Sequence, residues 1–333
     1  MPFIPDRGWR EGYIHEGKTL IRFVIKRIFL ALVQIFIVLS LVFMLLHIMP
    51  GDPAVLALGT ERTVDPQVVE ALRHELGLDK PILEQYLIYI KNVVNLDFGN
   101  SITDKIPVMD YISQRIPRTI ELAFLSIILA SIIGVALGMV SALKRKKAAD
   151  IITTSLAALG ISLPVFVLGT LFIFVFSFKL RWLPSGGFVA LSRDPWAHYL
   201  RFILPAMTLA LPMAASIARM TRSSMLEVLN KEFVRTLHAK GLSRRKVVFG
   251  HVLRNALIPI VTIIGLQLGN LIGGTVLIEY LFNLPGLCSI LVKAISYRDY
   301  PLIQGCIFVM SAFYILVNMI VDILYGVLDP RVR

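Results

Sequence analysis

The sequence predicts an all-α integral membrane protein with six membrane-spanning helices, and three observations carry that prediction. First, 56% of the 333 residues are hydrophobic and only 17% are charged, which is more apolar than a soluble domain requires. Second, the excess lies in blocks such as Ile28 to Ile48, almost free of charge over about 20 residues. A helix of that length crosses a hydrocarbon core of roughly 30 Å. Third, Lys and Arg cluster in alternate connecting segments, the asymmetry expected of cytoplasmic loops. The net charge of +12 belongs to those clusters and does not point to nucleic acid.

Taken in order, residues 1–21 form a polar segment placed in the cytoplasm, and 22–49 form the first span. That span exceeds the apolar core of a signal peptide and no small-residue cleavage pattern follows it, so it is expected to remain in the mature protein. Residues 50–117 carry many acids, among them Asp52, Glu70, Asp97 and Asp110, and are placed outside. Asp65-Pro66 and Gly77 bracket one short helix there, as N-cap, first helical residue and stop. A second begins after Asp79-Lys80-Pro81, with an apolar face from Ile82, Tyr86, Tyr89, Ile90 and Val93. It lies against the membrane surface or the other spans; a seventh span is the alternative, for which it is short and holds Glu84, Lys91 and Asn92.

The remaining apolar segments, 118–143, 151–178, 201–220, 256–281 and 303–327, bring the count to six and place both termini in the cytoplasm. Residues 118–333 thus form a five-helix core. Its long polar connection, at about 221–255, falls on the same side as the Lys144–Lys147 cluster. Within it, Ser223 to Glu227 reads as a helix start, Gly241 as a stop and Ser243 as the cap of a following helix. Two short helices joined by a glycine turn make a knob that a grooved partner could grip. A basic loop that only fixes topology is the competing reading.

Several strings in this sequence, in this order, resemble one family: MPGDPA at 49–54, LGLDKP at 76–81, DFGNS at 97–101, SLPVFVLG at 162–169, LPAMTLALP at 204–212, FVRTLHAKGLSRRKVVFGHVLRNALIP, RDYPLIQG at 298–305 and LVNMIVDILYGVLDPRVR at 316–333. The chain is similar over nearly its whole length to the B-type permease of the dipeptide, oligopeptide and nickel ABC importers. The resemblance implies a type I importer permease fold in the cell membrane and half of a translocation pathway for di- or oligopeptides, with nickel complexes or oligosaccharides as the alternative cargo. It implies a C-type sister permease, one or two ATPase subunits holding ATP and Mg, and an extracytoplasmic substrate-binding protein; this chain itself would bind no cofactor. Arg235, Thr236, Leu237 and Gly241 fall on the coupling-loop motif, whose general form is Glu-Ala-Ala, three residues, Gly. The segment containing Glu232, Phe233, Arg235, Thr236, Leu237, Ala239, Lys240, Gly241, Leu242 and Ser243 would dock into the ATPase. Arg235 replaces the general Glu, and Arg254 stands where many importer permeases keep proline; both match the B-type variant.

Tests for chemistry within the chain fail. It has no His-Glu-x-x-His and no Gly-x-Ser-x-Gly. His47, His238 and His251 are scattered, and Cys288 and Cys306 lack metal spacing and read as packing residues. Gly265, Gly269 and Gly273 form a small-residue strip on the fifth span, repeated by Gly134 and Gly138 in the second; helix packing is the simpler reading and sliding the alternative. Gln267 and Asn270 face either the translocation pathway or a neighbouring helix, and Glu279 is placed at the membrane interface. Pro164, Pro205 and Pro212 interrupt spans where a helix could hinge. An ion-driven transporter would need ionisable groups at mid-membrane, and an intramembrane enzyme paired nucleophile and base; the spans offer neither.

Overall fold

The computed structural model describes residues 7–48, 55, 66–75 and 77–328. Helices α1 (Arg7–Ile48), α2 (Pro66–Glu75), α3 (Ile82–Val94), α4 (Val108–Ser113), α5 (Ile116–Leu143), α6 (Ala148–Ser162), α7 (Val165–Phe172), α8 (Pro195–Leu229), α9 (Glu232–Ala239), α10 (Leu253–Leu281), α11 (Leu287–Tyr297) and α12 (Tyr300–Leu328) follow one another. Wide π-type turns at Ile173–Lys179 and Lys246–Val252 extend α7 and lead into α10. Among the described residues there is no strand, only one isolated bridge between Asn100 and Pro107.

Among the described residues five helices are long and apolar enough to span a bilayer, and α6 with α7, bent by 106°, makes a sixth when the pair is taken as one span. The third span is therefore broken rather than continuous over 151–178. Leu163 precedes Pro164 and takes an extended backbone (φ −86°, ψ 131°), as the proline ring demands of its predecessor. By contrast, α8 runs unbroken through Pro205 and Pro212. It also runs through Ser223 and Ser224, so the helix start expected there is wrong: the residues before them are already helical and no cap is needed.

Close contacts fix the direction of each span. Residues 134 and 138 of α5 lie against 217 and 221 of α8, so these two run parallel, whereas Gly160 of α6 meets Ala215. Gly265 and Gly269 of α10 pack on Val321 and Asn318 of α12, and Arg27 of α1 pairs with Asp322. The described chain ends thus share one end of the bundle with residues 144–147 and 230–252. Residues 78–115, 180–194 and 282–299 occupy the opposite end.

Two buried clusters follow α5, α8 and α10, one at mid-height around Phe202, Leu209 and Ile278 and one near the loop end around Met225, Val247 and Val252. A third joins α1 to α3, α4, α11 and α12 through Phe43, Tyr89, Ile112, Ile290 and Cys306. Helix α3 has 13 residues, about 20 Å, too short to cross. It buries Tyr89 and Val93 against α1, with Tyr86 Oη 2.7 Å from Ser40 Oγ. Helix α2 starts with Pro66 and ends at Gly77, whose φ is +66°; its expected cap Asp65, and the strings at 49–54 and 329–333, lie outside the described residues. Helix α11 was not foreseen; its apolar positions Leu287, Ile290, Leu291 and Ala294 keep helical spacing but form too short a run to stand out.

Candidate functional site

The loop end carries a short, largely exposed helix. Helix α9 begins two residues beyond α8, after Asn230 and Lys231, and has only eight residues. One turn holds it down: Val234 is 4% exposed and packs with Met225, Val228, Val247, Val248 and Val252, and Leu237 and Leu242 are half-buried against the same cluster. Glu232, Phe233, Arg235, Thr236, Ala239 and Lys240 face outward. Arg235 Nη1 lies 3.7 Å from Glu232 Oε1 with both side chains more than 80% exposed, a contact of little energetic weight.

The end of α9 is a complete Schellman closure. Gly241 N–H donates to His238 O at 2.9 Å and Leu242 N–H to Leu237 O at 3.3 Å, with Gly241 in the left-handed region at φ +77°. The apolar Leu237 and Leu242 that bracket this motif belong to one cluster. Ser243 then caps the next helix weakly, Oγ accepting from Lys246 N–H at 3.5 Å. Those local features stand where the sequence placed them.

Two further residues were expected on α10, either on a pathway or against a neighbouring helix. Gln267 is half-buried on α10, and the side chain of Asn270 lies outside the described residues. The strip divides: a Cβ on Gly265 or Gly269 would collide with Val321 or Asn318, while Gly273 meets nothing and lines a cavity of about 550 Å³ between α1, α10 and α12. Gly134 and Gly138 press directly on α8, within 2.8 Å of Ala214 O and 2.6 Å of Ala218 O for an added Cβ.

Four polar ties between elements escaped the sequence reading. Glu279, near the end of its span, faces protein rather than its surface: it is 1% exposed, accepts from Thr119 Oγ1 at 2.6 Å and caps α11 by accepting from Cys288 and Ser289 N–H at 2.8 and 3.1 Å. Asp299 starts α12 and accepts from Ser101 Oγ and from Thr103 N–H, so the DFGNS and RDYP strings are bonded to each other. His198 is wedged between Val189 O at 2.7 Å and Glu121 Oε1 at 2.8 Å. Asp150 receives Arg222 Nε at 2.7 Å and Nη2 at 2.9 Å. Cys288 and Cys306 are buried free thiols, and no group of three metal-ligating side chains occurs among the described residues.

A bundle of apolar spans, one of them broken, with apolar surfaces turned outward and a small amphipathic helix held out beyond their ends defines a multi-pass membrane protein. Residues 134–333 match the family described as binding-protein-dependent transport system inner membrane component, and residues 20–123 match its N-terminal companion family. The chain belongs to that family and is a multi-pass permease subunit of an ABC importer. It is 44% identical over 314 residues to the glutathione transport system permease protein GsiC of Escherichia coli strain K12 and of Shigella dysenteriae serotype 1, covering 94% of this chain and 99% of those. The solved structure of the MetNI methionine ABC transporter in inward-facing conformations aligns with a TM-score of 0.52 at 17% identity, over 68% of this chain and 97% of that one. That likeness supports the fold.

Proposed function

We propose that this chain is the B-type half of a peptide importer, paired with a C-type sister permease, and that α9 is the coupling helix seated in an ATPase subunit. The observation that carries this reading is the construction of α9: outward residues free for a partner, and one buried anchor, Val234, on the cluster that joins α5, α8 and α10. A push on α9 is thereby delivered to three spans. The basic clusters at Lys144–Lys147 and Arg244–Lys246 support a cytoplasmic loop end, with the described chain ends beside it. Gln267 and Asn270 are the proposed pathway residues of α10. ATP and Mg sit on the partner, and the substrate-binding protein approaches the opposite end.

Cargo follows from the relatives: a permease 44% identical is named for glutathione, a small peptide, which favours short peptides here. Two measurements test the reading. Wild type should co-purify with ATPase subunits, whereas Gly241→Trp, strained at φ +77°, and Phe233→Asp, on the outward face, should lose them or their stimulated ATP hydrolysis. In vesicles, uptake of labelled glutathione or a dipeptide should require ATP; uptake driven by an ion gradient without ATPase subunits would replace this reading with a secondary transporter.

A further inference from the structure

The Asp150 cluster does something that α9 alone cannot. Asp150 is 5% exposed, and each carboxylate oxygen accepts twice: Oδ1 from Ser141 Oγ and Arg222 Nε, Oδ2 from Lys146 N–H at 2.9 Å and Arg222 Nη2. Lys146 adopts φ +62°, a left-handed backbone that non-glycine residues rarely take, and in that turn its N–H meets the carboxylate. The last turn of α5, the 144–147 turn and the first turn of α6 are therefore all fastened to one guanidinium on α8.

Further along α6 the approach to α8 is through Gly160, whose Cβ, if it had one, would stand 3.6 Å from Ala215 Cβ and 3.7 Å from Leu211 O. Small-residue contacts let two helices approach but set no register between them. A bidentate, fully satisfied ion pair does set register, and that is the best attested use of such pairs, since their net contribution to stability is small. Arg222 lies two turns before the end of α8, and α9 begins three residues after that end. The other end of α6 is the 106° break at Leu163-Pro164.

Resting on the coupling-helix reading above, we propose that Asp150 and Arg222 are positioning residues that lock the α5–α6 hairpin to α8, so that displacement of α9 by the ATPase is carried along α6 to its break with α7. Breaking the pair leaves α9 and its anchor in place but lets α6 slip on α8, uncoupling the break from nucleotide.

The test reads that break without needing cargo. Ser162 is exposed beside it, and the two native cysteines are buried, so Ser162→Cys supplies one reactive thiol. In the complex with its ATPase subunits, maleimide labelling of that thiol should change about fivefold or more when nucleotide is trapped with vanadate. Asp150→Asn should retain the ATPase subunits yet reduce the response to less than about 1.5-fold, below the span of ordinary allosteric couplings. Arg222→Lys, which keeps the charge but not the two-pronged contact, should give an intermediate response and decides the matter if Asp150→Asn does not accumulate. A wild-type response in either variant overturns the proposal, as does a parent complex whose thiol ignores nucleotide. Loss of the ATPase subunits from Asp150→Asn alone makes the pair an assembly contact and also overturns it. Failure of the parent chain to retain those subunits sinks the importer reading instead.

Discussion

Glu279 holds three elements with two oxygens: its own helix α10, Thr119 on α5 and the amide end of α11. The arrangement needs Gly286, because a Cβ there would stand 2.3 Å from the carboxylate carbon. Gly286→Ala must push Glu279 aside and strip the Cys288 and Ser289 amides of their acceptor, which should cost about 3 kcal/mol. Gly250→Ala, where an added Cβ meets nothing, is the control and should be close to neutral. Thermal unfolding midpoints in detergent separate the two. The glycine at 241 and the serine at 243 were legible because capping chemistry is settled within five residues of chain. Glu279, Asp150, Asp299 and His198 were not, because their partners lie 160, 72, 198 and 77 residues away, and a lone acid near a span end looks the same whether it caps a helix or faces headgroups.

Helix packing is strictest where α5 crosses α8. A Cβ on Gly138 would come within 2.6 Å of Ala218 O, a backbone atom that cannot yield, while the hydroxyl of Thr221 beside it is buried without a hydrogen-bond partner. Gly138→Ala should therefore separate the helices and lower the midpoint, and Thr221→Val, which removes only an unpaired polar atom, should leave it unchanged or raise it. At the opposite end α11 is pinned to the 97–107 loop by Lys293 Nζ, 2.9 Å from Asp104 Oδ2. The hydrogen bond from Lys293 lowers the Asp104 carboxyl below its usual range, and the reverse interaction raises the lysine. The carboxyl's share of stability is present above about pH 4 and is lost as pH falls through its depressed value; the lysine's is present below about pH 10 and is lost above it. Lys293→Met should accordingly melt earlier than wild type at pH 7 but no earlier at about pH 2. Spans were legible as apolar runs, and the break at Pro164 as a proline between them. The continuity of α8 to Leu229 was not, since Ser and Thr start helices in some contexts and are tolerated inside them in others.

At the scale of the molecule, the exposed surface is apolar where a soluble protein would be polar. Phe29, Phe36, Phe124 and Ile132 are each more than half exposed on helices long enough to span, and the apolar stretch of α1 is mostly unburied. It reaches the bundle through α12 and α3 and adds nothing to the two clusters around α5, α8 and α10. Composition foretold such a surface but not which residues form it, because a span that is apolar all round does not say where another helix covers it: Phe43 is buried under Tyr86 and Tyr89, and Phe36, two turns earlier on the same face, is 54% exposed. The two phenylalanines consequently differ in what they tolerate. Phe43→Ala should loosen α1 from Tyr86 and Tyr89 at a cost of about 3–5 kcal/mol, whereas Phe36→Leu, still apolar against lipid, should accumulate like wild type. Phe36→Asp puts a carboxylate at membrane depth for about 2.5–3.5 kcal/mol on an insertion scale and should deplete the protein from the membrane fraction. Normal accumulation of Phe36→Asp would mean that this face of α1 is turned toward protein or water rather than lipid.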